Sequence, residues 1–169
     1  MMRRRMGLAA LAALAGGCAT APVETPEPAA VPRDWLAEIS AEAARVPSAV
    51  DVVPLPDPAL ADLVQRAHVA RAARDLDSAE TALRQALGIA PEDPAVWQSL
   101  AELEIARGRW VEAEQAAQRS LDLGSRVGAL CVRNGLTIFA SRVERGDAIG
   151  AADARAAVED CVVDAPARF

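Results

Sequence analysis

The 169-residue chain contains no lysine, no tyrosine and a single histidine, His68. Its cationic side chains are therefore arginines, and the abundance of alanine and arginine beside that gap reads as the codon usage of a GC-rich genome, not as a functional signal. Long apolar runs are missing too. A spanning helix needs about 20 apolar residues, and the run from Met6 to Gly17 falls short, with no second stretch of spanning length after it. Catalytic patterns are absent: there is no Cys/His pair, no metal-ligand spacing, no Gly-rich phosphate loop and no serine nucleophile elbow. The carboxylate pairs Glu102/Glu104 and Glu112/Glu114 are two residues apart, so on a helix their members point in different directions and read as a solvated charged face. The expectation is a chain that is not an enzyme and carries no cofactor or metal. Removing Arg3, Arg4 and Arg5 with a leader leaves 15 basic residues against 24 acidic ones, a net charge of −9, which disfavours nucleic acid and anionic membrane surfaces as partners.

What is present begins with that short apolar run. Residues 1–17 have a basic start, an apolar core and the small residues Ala15, Gly16 and Gly17 directly before Cys18, the layout of an export signal. The arrangement resembles the lipobox of bacterial lipoproteins, although Ala15 stands where leucine is usual. The resemblance implies cleavage before Cys18, lipidation of Cys18 and acylation of its new amino terminus, so that the only membrane attachment is the lipid, and two such hydrophobic signals suffice for stable anchoring. Ala19 after the cysteine implies, by the proteobacterial sorting rule, an outer-membrane anchor facing the periplasm. The alternative is an ordinary secretory signal cut nearby, with Cys18 incidental.

Residues 18–58 form a proline-rich tether, with proline at 22, 26, 28, 32, 47, 54, 56 and 58. Each proline removes a backbone donor and biases its neighbour towards extended geometry. About 40 residues at ~3.1 Å each reach at most about 120 Å, which is envelope scale. Within the tether, residues 34–46 read as a short helix capped by Asp34, with Trp35, Leu36, Ile39, Ala43 and Val46 near one face. It either folds on a partner or packs on the flank of the main domain; an exposed Trp35 and Ile39 would be a liability, which favours packing.

The main domain spans 59–165. Laying residues 60–93 over 94–127 without gaps pairs Leu63 with Trp97, Ala67 with Ala101, Leu76 with Trp110, Ala79 with Ala113 and Leu87 with Leu121, a period of 34. This resembles the tetratricopeptide repeat, in which each unit is two antiparallel helices with alanines at the closest approach. Ala70 and Glu104 replace the usual tyrosine, and Arg66 the usual leucine. Asp93 and Pro94 read as the start of the second unit, and Asp77 with Glu80 as a capping box for the second helix of the first. Two units bury too little, because stable arrays need about three. The tail, 126–163, therefore reads as a degenerate third hairpin: a helix from Arg126 to Arg145, a turn at Gly146 and Asp147, and a returning helix from Ala148 to Val163, with an insertion of about four residues. The fold class is all-α, a short repeat array behind a tether.

Cys131 and Cys161 lie at similar distances on either side of that turn, so an antiparallel hairpin brings them together at its open end. In an oxidising periplasm they form a disulfide; the alternative is a pair of buried thiols acting as small apolar groups. His68 lies in another hairpin, which argues against a metal.

Transferring the repeat family's groove positions gives Val64, His68 and Arg71 in the first unit and Gln98, Glu102 and Ile105 in the second; Arg133, Leu136 and Ala140 continue the surface. For His68 the plain alternative is a surface or half-buried helix residue. Lipobox, tether, repeats and the tail from Arg133 to Arg155 together resemble the tetratricopeptide type of outer-membrane lipoprotein activator of class A penicillin-binding proteins, described in pseudomonads. That resemblance implies a monomer that binds and activates a peptidoglycan synthase by protein contact. The rival is a pilotin-like or other envelope-assembly lipoprotein that binds a secretin or pilus component.

Overall fold

Aspartate starts five of the seven helices in the computed structural model, which describes residues 33–46 and 57–163. The helices are α1 Trp35–Ala43, α2 Pro58–Ala72, α3 Leu76–Ile89, α4 Pro94–Ala106, α5 Trp110–Leu123, α6 Ala129–Glu144 and α7 Ala148–Glu159. Asp34, Asp57, Asp75, Asp93 and Asp147 each accept a hydrogen bond from a backbone N–H of the first turn, satisfying donors that a helix start otherwise leaves unpaired. Pro58 and Pro94 open α2 and α4, where a missing N–H costs nothing. The cap of α3 is Asp75, which accepts from Ser78 N, not the expected Asp77 with Glu80. Glu80 is drawn away by arginines instead, and Asp77 stands in the first turn.

Three hairpins follow, α2/α3, α4/α5 and α6/α7, stacked in order. Each turns at a residue in the left-handed region: Arg74 at φ 63°, Gly108 at 69° and Gly146 at 74°. The first two are separated by the repeat period and the third by four residues more, which locates the insertion within the third hairpin. α6 starts at Ala129, later than Arg126, and α7 ends at Glu159, earlier than Val163. Gly128, at φ 91°, bends the chain into α6 while its N–H donates to Cys161 O at 2.8 Å.

Small residues set the helix spacing. Ala79, Ala86, Ala101, Ala113, Ala117 and Ala140 have almost no exposed surface, and Leu83, Leu103, Val96 and Val132 fill the space between them. Gly135 lets α6 approach α7 so closely that an added Cβ would come within 2.7 Å of the Val158 Cγ2. Cys131 and Cys161, both buried, are disulfide-linked with their Cα atoms 5.6 Å apart. The link ties the last hairpin at its open end.

Ionic contacts join the hairpins. Arg107, following α4, reaches back to α3, pairing with Glu80, donating to Leu76 O at 2.9 Å and contacting Asp77 at 2.7 Å. Glu80 also takes Arg84 at 2.5 Å. Glu114 of α5 pairs with Arg142 at 2.7 Å and with Arg145, locking α5 to α6. Among the described residues no helix is long and apolar enough to cross a membrane.

Two outcomes follow for the folded domain. Closing a loop across a sequence separation of 30 is worth roughly 3.5–4 kcal/mol in the chain-entropy estimate, so Cys161→Ser lowers the unfolding free energy extrapolated from urea titrations by that amount, and reductant lowers wild type to the same level. Arg107 and then Arg84 hold the Glu80 carboxyl down to about 2, against an ordinary value of 4.5. Its contribution is therefore complete above 4.5 and lost as pH falls towards 2. Because the site is partly open to solvent, Glu80→Gln costs about 1–2 kcal/mol at pH 7, and the gap from wild type closes between pH 4.5 and 2 in urea titrations.

Candidate protein-binding groove

The inner face of a repeat array is lined by the first helix of each hairpin, here α2, α4 and α6. Residues one turn apart share a helix face, so Gln98, Glu102 and Ile105 project from α4 onto this side, as do Arg133, Thr137 and Ala140 from α6. The structure brings most of the expected groove residues together and separates the rest.

Its polar part is built around Glu102. The carboxylate is almost fully buried and pairs with Arg71 of α2 at 3.5 Å and with Arg133 of α6, whose Nε donates to Oε1 at 2.9 Å. Gln98, fully buried, donates from Nε2 to Thr137 Oγ1 at 3.0 Å and to Glu102 Oε1 at 3.3 Å. Three hairpins thus meet at one carboxylate. Val64 and His68 stand beside it on α2, half-buried. Burial holds the His68 imidazole below its ordinary value, Arg71 and Arg133 add to that, and Glu102 opposes them. His68 is consequently neutral at pH 7.

Glu102 and Glu104 overturn the solvated-face reading. Both are buried, Glu104 against Arg109 at 2.5 Å, and Glu114 joins the α5–α6 lock. Helix spacing did send the paired carboxylates in different directions, but Glu102, Glu104 and Glu114 each meet an arginine from outside their own helix, while Glu112 keeps the exposed position expected of it.

Its apolar part is covered by the chain itself. α1 packs on α6 and α4, the packing expected over free docking, but on the inner face instead of the flank. Trp35, Ile39 and Ala43, one helical turn apart in succession, join Ile105, Val132, Leu136 and Ala140 in one buried cluster. The Trp35 ring meets Phe139 edge-on with centroids 5.7 Å apart, and its Nε1 donates to Glu144 at 2.7 Å. Arg33 lies over the other side of the ring at 3.7 Å, and Glu42 pairs with Arg155 of α7 at 2.6 Å. Ile105 and Leu136, expected to face a partner, are therefore core residues beneath α1. Thr137 and Trp35 are the groove residues that sequence reasoning did not place. Thr137 falls between the repeat's groove positions, and nothing in a nine-residue amphipathic segment says which surface receives it.

Cys18, the leader and most of the tether lie outside the described residues. Among the described residues no three acidic, cysteine or histidine side chains are grouped to hold a metal.

Stacked helical hairpins with a groove along their first helices define a tetratricopeptide-repeat protein, a class that works through protein–protein contact. The tetratricopeptide repeat family matches residues 70–123. Among solved structures, the globular C-terminal domain of P. aeruginosa LpoP is similar to this chain at 33% identity and a TM-score of 0.58, covering 62% of this chain and 99% of that one. The chain belongs to the LpoP-like tetratricopeptide-repeat proteins. No curated protein sequence matches it.

Replacing Trp35 with alanine removes the aromatic anchor of α1. Truncations of this kind cost about 3–5 kcal/mol, and amide exchange in the Trp35→Ala variant should lose protection in α1 and on the covered face of α6 while α2–α5 keep theirs.

Proposed function

We propose that this chain is a non-enzymatic outer-membrane lipoprotein, anchored through Cys18, whose repeat domain binds and activates a class A penicillin-binding protein by contact. The observation that carries the reading is the 33% identity over 99% of the LpoP globular domain. The lipobox and tether before the repeats supply the remaining parts of that architecture. The lipid holds one end at the outer membrane, the tether crosses the peptidoglycan mesh, and the domain meets a synthase anchored in the inner membrane. The domain acts as a monomer, and the contact surface is the uncovered part of the inner face, Val64, His68, Arg71 and Arg133, set over the buried Gln98 and Glu102.

Protein contact suits this site chemically. Its side chains are paired with one another and hold no nucleophile beside a base, so binding energy, and not bond making, is what it offers. Because α1 belongs to the domain, a soluble form for assay has to keep residues 33–46 and is best begun at Ala19. Added to a purified class A synthase, this form should raise the rate of lipid II polymerisation several-fold. No binding and no acceleration would sink the proposal, and tight binding of a secretin subunit instead would favour the assembly role.

A further inference from the structure

Two arginines share one carboxylate on the uncovered inner face. Each guanidinium carries five N–H donors, while the Glu102 Oε1 is already engaged by Gln98 and Arg133. The site therefore holds one positive charge in excess, with unspent donors. The same ratio occurs at Glu114, but there the surplus is consumed: Arg142 donates to Gly150 O at 2.9 Å and Arg145 to Ser141 O at 3.3 Å. Among the described residues, Arg71 and Arg133 have no partner other than Glu102. Their side chains keep 25% and 31% of their surface exposed, while Glu102 keeps 8%. The negative group is at the bottom and the positive groups are at the mouth.

We propose that this mouth receives an acidic segment of the protein partner, with one aspartate or glutamate carboxylate seated between Arg71 and Arg133. Guanidinium forks match carboxylates in bidentate geometry, and a half-buried setting strengthens the pair over an exposed one. Without its leader the chain carries a net charge of −9, from 15 basic and 24 acidic residues, which repels a long polyanion, so the ligand is a short acidic stretch whose charge is met locally. The assignment rests on the reading of this groove as the partner surface. His68 supplies a built-in reporter, because a carboxylate arriving beside it favours the imidazolium that Arg71 and Arg133 now disfavour.

The test uses isotope-labelled chain from Ala19 to Phe169 with capped hexaglutamate as probe and hexalysine as control. Hexaglutamate should shift the Nε–H resonances of Arg71 and Arg133 and raise the titration midpoint of the lone histidine; hexalysine should do neither. Arg71→Gln should weaken binding by about tenfold, about 1.4 kcal/mol, while Arg119→Gln on the exposed face of α5 should not change it. Arg133→Gln leaves Glu102 with Arg71, 3.5 Å away, as its one cationic partner and can unfold the domain, so Arg71→Gln, which removes only that longer contact and keeps Arg133 on the carboxylate, is the deciding variant. Hexaglutamate binding that ignores Arg71→Gln overturns the proposal, as does an Asp51→Asn chain that binds the probe more tightly, since the chain's own aspartate would then be the occupant. Concentration-dependent self-association lost in Arg71→Gln would assign the site to a second copy and overturn it too. Synthase binding unaffected by Arg71→Gln refutes the acidic segment and leaves the synthase reading standing. Hexaglutamate binding without any synthase binding does the reverse.

Discussion

Glu102 sits almost out of water, and that is tolerable for a carboxylate only while arginines from two other helices reach it. Removing water from a carboxylate costs several kcal/mol, which paired and hydrogen-bonded cations offset. Arg71 comes from α2 and Arg133 from α6, so the pairing is satisfied only when all three hairpins stack in register. Apolar packing between alanines would accept small slips of one helix along another; a shared buried carboxylate does not. The arrangement specifies the array more than it strengthens it, and the inner face is organised around it.

The second constraint is the apolar part of the inner face. Three stacked hairpins would expose Ile105, Leu136 and Ala140 there, and an apolar patch of that kind invites association. α1 removes the exposure with nine residues, burying Trp35 and Ile39 against it and fixing its ends through Glu144 and Arg155. α1 thereby divides the groove into a covered apolar part and an uncovered cationic part. The disulfide between Cys131 and Cys161 ties α6 to α7 covalently.

Much of the fold was legible because repeat proteins write their geometry at short range. The period, the alanines at helix crossings, Asp93 with Pro94, and the turn at Gly146 are all local signals. The same local logic misplaced the cap of α3, since Asp75 and Asp77 offer equal chemistry and only Arg107, distant in sequence, draws Glu80 out of a capping role. It also misjudged Glu102 and Glu104: a carboxylate on a helix looks solvated until the helix opposite is known to bring an arginine.

By itself the sequence determined the elements: paired helices, with starts such as Asp93 with Pro94 and a turn at Gly146, repeated at a fixed interval. Those outcomes depend on neighbours within one or two turns. Only the tertiary structure decided which charges were buried, which groove positions stayed open and where α1 came to rest. Burial and pairing are properties of surfaces that meet across the stack, and their partners, Arg71 with Glu102 or Trp35 with Glu144, carry no mark of each other in the chain.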